Sequence, residues 1–298
     1  MTRRNLFAPE ARAAWMFLIP PLTLITLFYV IPVLMGFVLS MTDFDIYSVG
    51  DVTDTRIVGP RNYGELLRNE LFWQAMRNTL YYAVVGSFLT IVVALAAALL
   101  LNAKLARFKA LFRTIYFAPV VTTIVAVAVI WRYLYHPRVG LLNRVLDAFG
   151  IAGLDWLGDP RWAMPSIILL AIWKNFGYSA LIFLAGLQNA PEELYEAARI
   201  DGAGELRQFW NITLPVLGPT FVFVSVITSI GYFQIFAEPY VMTPEGGPLN
   251  STLTIVMLMY RQGFRWWNMG YASAIAFILF FVVALATVLQ IWLRRRDA

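Results

Sequence analysis

Residues 196–215 read EAARIDGAGELRQFWNITLP. They lie between two long apolar stretches, and the run from Pro191 to Arg207 holds five acids and two bases. What buries the flanking stretches decides the fold. The chain has 298 residues, 60% hydrophobic, 15% aromatic and 14% charged, with a mean hydropathy of +0.67. A soluble domain carries roughly 25% charged and ~45–50% apolar residues. The excess apolar surface calls for a bilayer.

Working outward from the loop, six stretches approach the ~20 apolar residues that cross ~30 Å of hydrocarbon. They are about 14–40, 78–101, 114–135, 163–187, 214–238 and 267–293. The first follows Arg3, Arg4 and Arg12 and so resembles a signal peptide. Its apolar part exceeds the ~7–15 residues of a signal core, and five more stretches follow. It is read as a retained helix, kinked near Pro20–Pro21 and Pro32, where the hydrogen-bond ladder loses donors. The fold class is all-α: a polytopic membrane protein with six transmembrane helices.

Orientation follows from the short loops. Arg3, Arg4 and Arg12 precede span one. Lys104, Arg107, Lys109 and Arg113 lie in LNAKLARFKALFR after span two, and Arg294, Arg295 and Arg296 end the chain. Six alternating spans place these clusters on one side, and the positive-inside rule makes that side cytoplasmic. The opposite loops carry Asp43, Asp45, Asp51, Asp54, Asp155 and Asp159, and Trp266, Trp267 and Trp292 suit aromatic belts. The chain is thus divided into a cytoplasmic N-terminus (1–13), a first span with an external amphipathic segment (14–77), a five-helix core (78–293) and a cytoplasmic tail (294–298). The core carries the loop 188–213, which is cytoplasmic too and is the one such loop that is not basic.

Several chemistries lack support. The pI near 9.5 comes largely from membrane-flanking Arg and Lys, and no basic run with interleaved aromatics points to nucleic acid. There is no cysteine, hence no disulfide framework and no thiolate site. His136 is the lone histidine, no metal-ligand cluster occurs, and no catalytic residue is assigned. The three lysines, Lys104, Lys109 and Lys174, do not follow Gly, so the phosphate-cradling G-x-x-x-x-G-K-[ST] loop is missing.

Local chemistry predicts two short helices around a turn in the opening loop. Pro191 suits a first helical position, and Glu192 and Glu193 complement the helix dipole. Asp201-Gly202 is a stop signal, with Gly202 able to take the left-handed cap. A second short helix covers Glu205–Asn211, and Leu214-Pro215 opens span five. Such a hairpin serves either as a plain solvated connector or as a docking element whose small Ala197, Ala198 and Ala203 permit close approach.

The string Glu196-Ala197-Ala198-x-x-Asp201-Gly202-Ala203, followed by Phe209, Ile212, Leu214-Pro215 and Pro219, closely resembles the EAA loop of ABC importer permeases. GPRNYGELLRNELFWQAMRNTL (59–80), YFAPVVTT (116–123), DWLGDP (155–160), LAGLQNAPEELYEAARIDGA (184–203) and GGP (246–248) resemble the sugar branch of that family, the maltose and glycerol-phosphate type. The resemblance implies a type I, maltose-permease-like architecture in a bacterial inner membrane. It implies four partners: a second related permease forming a heterodimer, two ABC ATPase subunits that carry ATP and Mg, and an external solute-binding protein. This chain would bind no cofactor. Glu196, Ala197, Ala198, Asp201, Gly202 and Ala203 would couple it to the ATPases.

Polar residues inside spans are costly and therefore informative. Lys174 lies near the middle of span four, where a charge costs at least ~2.5–3.5 kcal/mol, so it should face a wet cavity or a partner. Lys174, Asn175 and Tyr178 share a helical face. The family resemblance implies that positions after Trp173 line the sugar site, although a neutral sugar needs no cation. Span five offers Thr228, Ser229, Tyr232, Phe233, Gln234 and Glu238, with Tyr232 and Gln234 the favoured path residues. Thr122 and Thr123 either line the path or bond to their own helix carbonyls. A permease for glycerol phosphate or another anion, an ion-coupled secondary transporter and an intramembrane enzyme are the rival readings. The last two lack an inverted repeat and a reactive constellation, respectively.

Overall fold

The computed structural model describes residues 9–45, 47–49, 55–103 and 108–297. Arg3, Arg4, Asp51, Asp54, Lys104 and Arg107, and the side chains of Arg12 and Arg294–Arg296, lie outside the described residues. Nearly everything described is helical. The helices are α1 (Ala13–Ser40), α2 (Arg61–Arg68), α3 (Glu70–Asn102), α4 (Lys109–Val121), α5 (Ile124–Leu134), α6 (Leu141–Ala148) and α7 (Pro160–Gln188). They continue as α8 (Glu192–Ile200), α9 (205–216), α10 (Gly218–Met242), α11 (Ile255–Tyr260) and α12 (Met269–Asp297). Five of them, α1, α3, α7, α10 and the stretch Met269–Leu293 of α12, are long and apolar enough to cross a membrane; α4 and α5 together make a sixth, bent span.

Two expectations change. Span three is not continuous: α4 and α5 meet at 98°. Thr122 and Thr123 take extended backbone angles at the elbow, and Pro119 offers no N–H to the preceding turn. Span two begins at Glu70, earlier than its apolar stretch, because Asn69 caps the helix by accepting from the Leu71 N–H at 2.9 Å. The first span stays helical past Pro20, Pro21 and Pro32, with a π turn, Thr26–Val30, between the proline sites.

The chain forms two compact units. One holds the residues up to Arg68 together with Met259–Ile278, and the other holds Asn69–Leu258 with Leu279 onward. In the first, the buried Asn62 amide donates to the Ser40 and Thr42 carbonyls at 2.9 and 2.8 Å, tying amphipathic α2 to the end of α1. In the second, α3 and α7 pack along a seam of small side chains. Ala94, Ala97, Ala98 and Ala180 lie beside Ile91, Leu101, Phe183, Leu184 and Leu187, with Leu217, just before α10, and Val224 of α10 closing the cluster. Small residues suit this place because helices in lipid associate through close packing and not through water exclusion. The Asp159 carboxylate caps α7 by accepting from the Arg161 N–H at 2.9 Å, and the Arg161 side chain bonded to it holds that carboxyl below the usual range.

The loop folds as a tight hairpin. Pro191 is the N-cap of α8 and not its first helical residue; Glu192 and Glu193 occupy the first turn. At the other end Gly202 has φ +76°, its N–H donates to the Arg199 carbonyl at 3.1 Å, and the Ala203 N–H donates to the Ala198 carbonyl at 2.8 Å. That pair of bonds is a Schellman motif, which needs a left-handed residue where Gly202 stands. α9 then runs on through a π turn, Phe209–Thr213, to Val216. The Tyr195 hydroxyl meets the Thr213 hydroxyl at 3.1 Å, bracing the two arms.

Candidate functional site

Within the larger unit, a cavity of about 550 Å³ opens where two helices are broken. Val120 and Ile124 flank the elbow between α4 and α5, while Gln234, Ile235, Phe236 and Ala237 mark an interruption of α10. Non-helical backbone at membrane depth is tolerated only where protein or a water-filled cavity receives its polar groups. Here the Thr254 hydroxyl donates to the Ile235 carbonyl at 3.1 Å. The volume falls within the ~300–1,000 Å³ of small-molecule sites.

All five residues expected on the substrate path, Lys174, Asn175, Tyr178, Tyr232 and Gln234, line this cavity. Thr228 and Glu238 join them. Ser229 does not: its hydroxyl accepts from the Gln290 amide at 2.9 Å. Phe233 is buried core, and Thr122 turns its hydroxyl onto the Pro119 carbonyl at 2.6 Å. Tyr82 was missed. It stacks on Tyr232 with ring centroids 5.0 Å apart, and the Tyr232 hydroxyl meets that of buried Thr90 at 2.5 Å. The available signal was a tyrosine pair, Tyr81-Tyr82, inside an apolar helix.

Lys174 is the most informative side chain. It is 9% exposed, and its ammonium donates to the carbonyls of Pro119 at 2.9 Å and Thr122 at 2.8 Å. The last carbonyls of α4 lack the N–H groups of a following helical turn and carry the negative end of the helix dipole; that of Pro119 also accepts from the Thr122 N–H at 3.3 Å. A hydrogen bond to a charged group contributes ~1.5–3 kcal/mol, so two of them offset the ~2.5–3.5 kcal/mol cost of a central cation. Gly177, one turn further along α7, has no side chain because a Cβ there would overlap the Tyr116 carbonyl oxygen of α4. Glu238 lies on the same cavity, within electrostatic reach of Lys174.

The hairpin bears the six residues expected to couple. Ala198, Asp201 and Ala203 border a groove shared with Arg207, Gln208, Asn211 and Ile212. Glu196 and Ala197 are exposed beside it. The tip also carries large exposed apolar side chains, Ile200 at 87% and Leu206 at 73%.

Residues 90–296 match the family model described as binding-protein-dependent transport system inner membrane component. The chain belongs to that family. The permease is 35% identical to the arabinooligosaccharides transport system permease protein AraP of Bacillus subtilis, over 97% of its own length and 90% of the relative's. It is also 35% identical to the lactose transport system permease protein LacF of Rhizobium radiobacter, over 94% and 93% of the two chains. Among solved structures it resembles a chain of the bacterial alginate ABC transporter in complex with alginate pentasaccharide-bound periplasmic protein. There the TM-score is 0.80 at 22% identity, with 98% of each chain covered, a likeness that shows the fold. The permease is thus a multi-span inner-membrane protein of the ABC importer type.

Proposed function

We propose that this chain is one membrane subunit of an ATP-driven importer that moves a sugar or sugar derivative delivered by an external solute-binding protein. The observation that carries the reading is the cavity at two helix breaks, where Tyr82, Tyr178 and Tyr232 lie beside Asn175, Thr228 and Gln234. Aromatic faces suit the apolar faces of a sugar ring, and amides and hydroxyls suit its edges. The relatives named for arabinooligosaccharides and lactose support a saccharide. Discontinuous helices at a central site are also a recurrent way of building a transporter's binding site.

In this reading a second, related permease completes the path, and two ATPase subunits hold ATP and Mg and dock at the hairpin. Both termini and residues 188–213 face the cytoplasm. Glu196, Ala197, Ala198, Asp201, Gly202 and Ala203 form the coupling surface. Exposed Ile200 and Leu206 offer apolar surface that a docked partner would cover.

The test is Glu196→Lys in the complex reconstituted with its ATPases and binding protein. A charge reversal in a docked contact costs about 2 kcal/mol or more, so uptake and binding-protein-stimulated ATP hydrolysis should fall at least about tenfold while the chain still inserts. A cysteine at Gly204 should react with an impermeant reagent only from the cytoplasmic side. Wild-type uptake, subunit recovery and ATPase stimulation in the variant would reduce the hairpin to a connector and remove the coupling assignment.

A further inference from the structure

We infer that Lys174 is a positioning residue that pins the elbow of the third span, and that a substrate anion is not what this cation is for; the second half rests on the cavity being the solute site proposed above. A lone lysine in the middle of a span reads most simply as a ligand for a charged solute. The geometry gives it other work. Its ammonium bridges the Pro119 and Thr122 carbonyls, one in the last turn of α4 and the other at the corner itself. Those acceptors exist only because α4 stops there, and they face α7 only because Gly177 lets the α4 backbone come against it. Lys174 and Gly177 are three residues apart on one face of α7, so a single helical stripe both receives the broken helix and caps it.

The charge balance of the cavity agrees. Glu238 shares the wall with Lys174, and the remaining polar side chains lining it are amides and hydroxyls. For Lys174 to bind a solute anion, it would have to release both carbonyls at membrane depth, leaving Pro119 only its bonds from Thr122, and the anion would have to enter beside Glu238 on the same wall. A neutral saccharide meets hydroxyls, amides and ring faces there with the elbow undisturbed. In this arrangement Lys174 acts on the solute through the backbone it holds, setting where Val120 and Ile124 stand on the cavity wall.

The test reads the elbow directly. Spin labels at Leu111→Cys and Tyr133→Cys, in an otherwise cysteine-free complex with its partner subunits in lipid, report the distance between the far ends of α4 and α5. Both positions are exposed. With Lys174→Met the distance should lengthen by several ångströms and its distribution broaden; full straightening would add about 10 Å at ~1.5 Å of rise per residue. Lys174→Arg, whose forked donors reach two carbonyls, should return the wild-type distribution. If the Met variant does not assemble, Lys174→Gln takes its place. Its shorter amide reaches at most one of the two carbonyls, so displacement from wild type is again required. An unchanged distribution in the Met variant, or in Gln where Met fails, overturns the inference. The distances are read without solute, so they stand or fall separately from the sugar reading, which fails if the wild-type complex takes up no saccharide.

Discussion

The hairpin 192–216 and the elbow at Thr122–Thr123 both turn the chain sharply, by opposite means. The hairpin is self-sufficient. Pro191 starts it, Gly202 supplies the left-handed residue, and its bracing bonds, from Ala203 to Ala198 and from Tyr195 to Thr213, stay within the segment. The elbow is made by its neighbour. α4 ends against Gly177 and its last carbonyls close on Lys174, both on a helix that begins 38 residues after Thr122. In water a turn can complete itself with solvent; at membrane depth the missing partners must come from other parts of the protein.

The sharpest way to break this contrast is to exchange the two glycine problems. At Gly177 space is the limit. Gly177→Val would drive a branched side chain into the Tyr116 carbonyl, forcing α4 off α7 and taking the Lys174 bonds with it. Such overpacking costs about 3 kcal/mol or more, and we expect little assembled permease to be recovered from the membrane. Near-normal recovery with intact uptake would mean that α4 does not lean on α7 in this way. At Gly202 space is open and only the backbone angle is at stake. Gly202→Val should cost about 1–2 kcal/mol locally, leave insertion and subunit yield near wild type, and depress uptake and stimulated ATP hydrolysis. An insertion defect as large as that of the Gly177 variant would erase the distinction. The smallest effect is expected inside the cavity. Tyr232→Phe keeps the stacked ring on Tyr82 and removes the hydroxyl's bonds to Thr90 and Asn175, a loss of about 1–2 kcal/mol. A thermal unfolding midpoint lowered by a few degrees or less, with uptake retained, would fit a structural bond; lost uptake at an unchanged midpoint would put the hydroxyl on the solute instead.

The same contrast explains what was legible. The hairpin could be read from Pro191, the paired acids and Asp201-Gly202 because each acts on residues within one turn of itself; Pro191 falls one step off, at the N-cap and not N1, and Leu214-Pro215 ends the second arm and does not open span five, which begins at Gly218. The six apolar stretches were legible from length. The elbow was not, because APVVTTI reads as an unbroken apolar run and the groups that stop it lie elsewhere in sequence. Pro119 and an unexplained Lys174 were each visible, but nothing in one dimension joins them. The same holds for the cavity: the shared face of Lys174, Asn175 and Tyr178 follows from helical spacing, whereas Tyr82 enters it only through the packing of α3. Glu238 ranks below Tyr232 and Gln234 from sequence because distance along the chain does not reveal that α10 breaks just before it.

The Lys174 bonds also bear on how the protein is made. Synthesis runs from the N-terminus, so residues 109–122 leave the ribosome before α7 does. The two carbonyls that Lys174 will need are therefore already made by the time its helix emerges. Reversing that order, by circular permutation that moved α4 and α5 behind α7, would hand the insertion machinery a span with a bare cation at its centre. In sequence order, the acceptors precede their donor by 52 and 55 residues.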